Sequence, residues 1–110
     1  MGEVNEIIEA LLAFRDERDW EQFHNPKDLA LAVSVEAAEL LELFLWKKHE
    51  EADREKVKEE IADVLAFTFL LAEKYGFDVK QIVMEKIERN RLKYPVEKAR
   101  GSARKYTEYE

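Results

Sequence analysis

The chain has no cysteine, and only three glycines and two prolines among its 110 residues. The first absence excludes disulfides and thiolate metal sites. The scarcity of the other two argues against a turn-rich β-chain and for long helices, because Ala, Leu, Glu and Lys dominate instead. The glycines stand apart at positions 2, 76 and 101, too scattered for a phosphate-cradling loop. Histidine is as rare. His24 falls in a connector and His49 at a helix end, and neither follows a glutamate by three residues in a core helix. Zinc catalysis and a di-iron carboxylate bundle therefore lack their nitrogen ligands. No Ser–His–acid arrangement is suggested. Apolar stretches are broken by Glu or Lys before they reach membrane-spanning length, and no charged leader precedes an apolar segment. A cytoplasmic protein without membrane association is expected.

What is present fits one domain with a real core: 46% of residues are hydrophobic and 39% charged. The net charge of −7 hides an asymmetry. Residues 1–85 carry 10 basic and 21 acidic side chains, a balance of −11, whereas residues 86–110 carry 8 and 4, a balance of +4. An acidic body with a basic end suits a metal–polyphosphate ligand, the acids holding the cation and the bases meeting the phosphates. It equally suits ordinary solvated surface. The basic run from Arg100 to Lys105 is short beside so acidic a body, and stable nucleic-acid binding is not expected.

The periodicity predicts four main helices, an all-α chain. Val4, Ile7, Ile8, Leu11, Leu12 and Phe14 give a first helix from about Glu3 to Asp19. Residues 20–24 form a connector. Asn25 caps a second helix with Pro26 at its first position, and the helix continues to about Trp46 or Lys48. Asp53 starts a third helix that runs to Tyr75 and stops at Gly76. Asp78 and Gln81 form a capping box for a fourth, which ends near Leu92 before Pro95. Residues 1–95 read as a single helical domain and residues 96–110 as a basic tail, extended or partly disordered. The second helix is apolar nearly all round, so four helices can hardly enclose it. An oligomeric bundle, in which the second and third helices pair with symmetry mates, would supply the cover.

Two motifs stand out on those helices, Glu36-Ala37-Ala38-Glu39 and Glu60-Ile61-Ala62-Asp63. At i, i+3 spacing each pair shares one helical face. Such pairs are usually solvated. Here Glu36 lies among Leu29, Leu40 and Leu43, Glu39 between Ala32 and Trp46, and Glu60 and Asp63 flank the direction of Phe67. Carboxylates are costly to bury without a positive partner. That partner is either a buried Arg or Lys or a metal ion. Four convergent carboxylates make an oxygen-rich site for which Mg²⁺ leads, with a phosphate-bearing ligand as its natural companion. Trp20, Trp46 and Phe67 read first as core or interface residues and second as walls of a nucleobase pocket. Lys86, Asn90 and Lys93 share one face of the fourth helix and read first as surface side chains.

The segment Arg18-Asp19-Trp20-Glu21-Gln22-Phe23-His24 carries a further signal. So do both acidic motifs, Glu42-Leu43-Phe44 with Trp46, Lys86, Asn90, Tyr94-Pro95 and Arg104-Lys105-Tyr106-Thr107-Glu108. Across nearly its whole length the chain resembles the all-α nucleoside triphosphate pyrophosphohydrolases related to MazG, particularly the dCTP pyrophosphatase branch. The resemblance implies Mg²⁺-dependent hydrolysis of a (deoxy)nucleoside triphosphate, dCTP or a modified dCTP, to monophosphate and pyrophosphate. It assigns Glu36, Glu39, Glu60 and Asp63 to metal binding and catalysis. It places Trp20, Trp46, Phe67, Lys86 and Asn90 about the nucleotide and closes Lys105 and Tyr106 over the phosphates. It also implies a homo-oligomer, a dimer or a tetramer built from dimers. Two departures stand out against vertebrate members: Phe67 replaces a Tyr and Leu11 a His, each removing a polar group near the base. The competing reading is a non-catalytic helical module that binds a basic partner or a nucleotide.

Overall fold

The computed structural model describes residues 2–109, so Met1 and Glu110, the outer ends of the expected domain and tail, lie outside the description. The described residues are helical, without a strand among them, and fall into two compact units, one ending at Phe77 and the other beginning at Asp78. The first contains α1 (Glu3–Glu17), α2 (Pro26–Glu42) and α3 (Arg54–Lys74). The second contains α4 (Val79–Lys93) and the short α5 (Val96–Ala99).

Helix starts follow from local chemistry. The Asn25 side chain accepts from the Asp28 amide at 2.9 Å ahead of Pro26, and the Asp53 carboxylate accepts from the Glu55 and Lys56 amides. Each cap satisfies a donor that the first turn leaves unpaired. The Asp78 carboxylate accepts from the Gln81 amide at 2.9 Å, but the Gln81 side chain donates forward to Glu85 at 3.0 Å. The expected capping box is therefore only half made.

Helix ends depart further from expectation. α1 stops at Glu17, two residues early, because Asp19 enters the left-handed region at φ 54°. The Trp20 amide then donates back to the Arg15 carbonyl and the Asp19 amide to that of Asp16, a Schellman closure normally built on glycine. α3 closes in the same way on Gly76, at φ 71°, with Phe77 N–H on the Ala72 carbonyl. α2 ends at Glu42 rather than near Trp46 or Lys48. Residues 43–47 continue in tighter i to i+3 bonds, and Trp46 turns the chain at φ 61°. The expected tail is also more ordered than an extended strand. It holds α5, a turn at Gly101 with φ 73°, and a 3-10 turn at Tyr106–Glu108. Within that second unit Tyr94 packs edge-on against Tyr106 and Tyr109, and Lys93 lies over the Tyr106 ring.

In the first unit α3 packs against both α2 and α1. Among the described residues Leu29 is fully buried, Leu70 and Ala72 are buried nearly as deeply, and Arg15 is the buried charged side chain. Much of α2 and α3 stays open to solvent, including Leu31, Val35, Leu41, Ile61 and Leu65.

Candidate functional site

The packing of α3 on α2 brings three of the four motif acids together. Oxygens of Glu36, Glu60 and Asp63 all lie within 4.8 Å of one another. Glu60 and Asp63 arrive from one face of α3 through their three-residue spacing, and Glu36 comes from α2. Glu39 stands outside this tight group and is exposed, one turn along α2. The Oε2 atoms of Glu36 and Glu60 are buried and have no hydrogen-bond partner. Among the described residues no Arg or Lys forms an ion pair with any of the four acids. The arrangement is electrostatically unpaid. Burial first, then the adjoining carboxyls of Glu39 and Glu60 and the charges of Glu39 and Asp63, push Glu36 up to about 7. Buried carboxylate oxygens without donors, on an all-oxygen cluster of like charge, fit a hard divalent cation.

Asp63 belongs to a second feature. It lines a cavity of about 280 Å³ whose other walls come from α1, the Trp20–His24 connector and α3. Leu11, Phe14, Trp20, Ala66, Phe67 and Leu70 give it an apolar lining, and Arg15, His24 and Asp63 are its polar groups. Trp20 meets Phe14 edge to face at 5.8 Å, which fixes its ring at the mouth of α1. An apolar hollow of this kind with few polar groups suits a flat heterocycle.

Trp20, Phe67 and Asp63 thus come together. Trp46 does not line this cavity and is 94% exposed. Lys86, Asn90, Lys105 and Tyr106 belong to the unit that begins at Asp78, where Asn90 is half-buried and the others are exposed. His24, read from the sequence as a connector residue without a role, lines the cavity and leaves its buried Nδ1 without a partner. Burial, together with the positive charges of Arg15 and Lys74, lowers its pKa, so the ring is neutral at neutral pH. No sequence spacing marks His24. Arg15 is more legible: it continues the apolar stripe of Ile8 and Leu11 at helical spacing, an odd place for a guanidinium.

Residues 31–109 match the MazG-like family. The chain is 45% identical over 103 residues to dCTP pyrophosphatase 1 of Bos taurus and 44% identical to that of Homo sapiens. Each match takes in 86% of this chain and 61% of the relative, so the chain spans about three fifths of the length of these curated relatives. A solved pyrophosphatase of Archaeoglobus fulgidus DSM 4304 is 38% identical, with a TM-score of 0.81, over 86% of this chain and 94% of that one.

Proposed function

The chain belongs to the MazG-like family, and from that premise we propose that it is a Mg²⁺-dependent nucleoside triphosphate pyrophosphohydrolase. Its substrate on this reading is a deoxynucleoside triphosphate, dCTP or a modified dCTP, and its products are the monophosphate and pyrophosphate. One observation carries the reading: Asp63 stands in both the carboxylate cluster and the apolar cavity. A nucleoside in the cavity would have its phosphates beside the acids.

Glu36, Glu60 and Asp63, with Glu39 one turn away, would hold the Mg²⁺, which when bound neutralises triphosphate charge and acidifies a water. Glu39, outside the tight group, is the carboxylate we assign to orient the attacking water and accept its proton. The water oxygen joins the α-phosphorus, and the bond from that phosphorus to the bridging oxygen breaks. Pyrophosphate leaves. Trp20 and Phe67 would sandwich or border the base, and the apolar walls exclude water from it. Trp46, Lys86, Asn90, Lys105 and Tyr106 are assigned to the nucleotide from the resemblance alone. Lys86, Lys105 and Tyr106 would meet phosphate charge, and Asn90 offers both donor and acceptor.

We also assign a homo-oligomer, dimer or tetramer, to the active form. Leu31 and Leu41 are 55% and 68% exposed on α2, and a second copy would remove that apolar surface from water. Among the described residues no helix is long and apolar enough to cross a membrane. A cytoplasmic address completes the reading.

The test is a product analysis. The protein is incubated with Mg²⁺ and a panel of canonical and modified nucleoside triphosphates, and the products are resolved by ion-exchange chromatography. Monophosphate and pyrophosphate in equal amounts, fastest from deoxycytidine substrates, are expected. Diphosphate with inorganic phosphate, or no turnover of any nucleotide, would overturn the assignment.

A further inference from the structure

We propose that Arg15 is a positioning residue which, together with Lys74, clamps Glu21 and so sets the separation of the cavity's two walls. The proposal rests on reading that cavity as the seat of the nucleoside. Arg15 is only 7% exposed, and the chemistry at the acid cluster makes no use of it. A buried guanidinium is costly unless carboxylates surround it. Its Nε donates to Asp16 Oδ1 at 2.9 Å, its Nη2 lies 3.6 Å from Glu21 Oε2, and its Nη1 lies 3.9 Å from Glu73 Oε2. The same Glu21 oxygen accepts from Lys74 Nζ at 3.3 Å. One carboxylate oxygen in the connector is therefore held from α1 and from α3 at once.

That placement matters because α3 forms one side of the cavity, and α1 with the connector that follows it forms the other. Asp63, Ala66, Phe67 and Leu70 all stand on α3, whereas Trp20 and His24 stand at the two ends of the short connector that contains Glu21. The connector's backbone is tied to itself, through Phe23 N–H on the Trp20 carbonyl and His24 N–H on that of Glu21, and to α1 through Trp20 N–H on Arg15. The Glu21–Lys74 bond ties it to α3. Releasing that tie would let the Trp20–His24 wall drift from Phe67, and small misplacements of a binding wall are costly to catalysis.

Glu21→Gln and Lys74→Met remove the tie at a pair of which Glu21 is exposed and Lys74 half-buried, and Asp16 and Glu73 still face Arg15, so the melting temperature should fall by no more than about 4 °C. Each is expected to raise KM for the nucleotide about fivefold, with kcat within about twofold, and the double variant should be no worse than either. Arg15→Lys, which keeps the charge, should raise KM less than Arg15→Met. Where Arg15→Met fails to fold, the other two variants test the same clamp. A readout free of turnover is acrylamide quenching of Trp20 fluorescence in a Trp46→Phe background, where Glu21→Gln should raise the quenching constant about twofold. Unchanged KM, additive effects of the two variants, or a fall in kcat that tracks the melting temperature would each overturn the proposal. If the wild type turns over no nucleotide, the enzymatic reading fails by itself, and the quenching result still decides the clamp.

Discussion

Glu36 changes charge near neutrality in the metal-free protein, because burial and the carboxyls of Glu39 and Glu60 raise it from 4.5 to about 7. Between those two values the folded state binds the proton more tightly than the unfolded chain does. The stability that the protonated group confers is therefore complete below 4.5 and is lost as pH rises through about 7. Thermal melts in EDTA should show a lower melting temperature at pH 8 than at pH 5.5, a difference that Mg²⁺ or Glu36→Gln should shrink. The same Glu36→Gln should cut turnover at least about 100-fold, and Glu39→Gln should do so without altering assembly. Equal melts with and without EDTA at pH 8 would count against a cation at this cluster. The pairing of Glu60 with Asp63 was legible from spacing, since it is a property of a single helix. The exclusion of Glu39 from the tight group and the entry of His24 were not. They depend on how α3 crosses its neighbours, which no local pattern encodes.

Helix starts were legible for the opposite reason: a cap is a contact between residues three apart. Asn25→Ala removes the bond to the Asp28 amide and should cost about 1 kcal/mol in a urea titration. Gly76→Ala places a Cβ at φ 71°, where open space surrounds it, so its cost is the backbone term of about 1–2 kcal/mol. A neutral result at Gly76 would mean that the α3 closure is not built as described. The ends of α1 and α2 escaped the sequence because neither carries the glycine that marks α3. Asp19 takes the left-handed position at the end of α1, whereas α2 tightens into i to i+3 bonds and the left-handed residue, Trp46, comes only after them. Asp19 tolerates it more readily than Trp46, whose bulky side chain makes the conformation a strained one. The short helix after Pro95 was missed because four residues of helix give too little periodicity to detect, and the packing of Tyr94 with Tyr106 and Tyr109 because it joins residues more than ten apart.

The all-round apolar character of α2 pointed to a missing cover, and its exposed leucines keep that question physical. Leu41→Lys should shift the sedimentation coefficient toward a smaller species while far-ultraviolet circular dichroism stays unchanged. An unshifted coefficient would remove Leu41 from any interface between copies. Helical class and acid spacing were thus available from one chain, whereas an assembly depends on surfaces that periodicity marks only as surplus. Asp63 has a consequence of a different kind. A side chain shared by two sites makes their occupants thermodynamically reciprocal. On the proposed function, whatever factor a cation at Glu36, Glu60 and Asp63 added to the retention of a nucleoside in the cavity, the nucleoside would return to the cation. Neither affinity would then be a fixed constant: each would be a function of the other ligand's concentration.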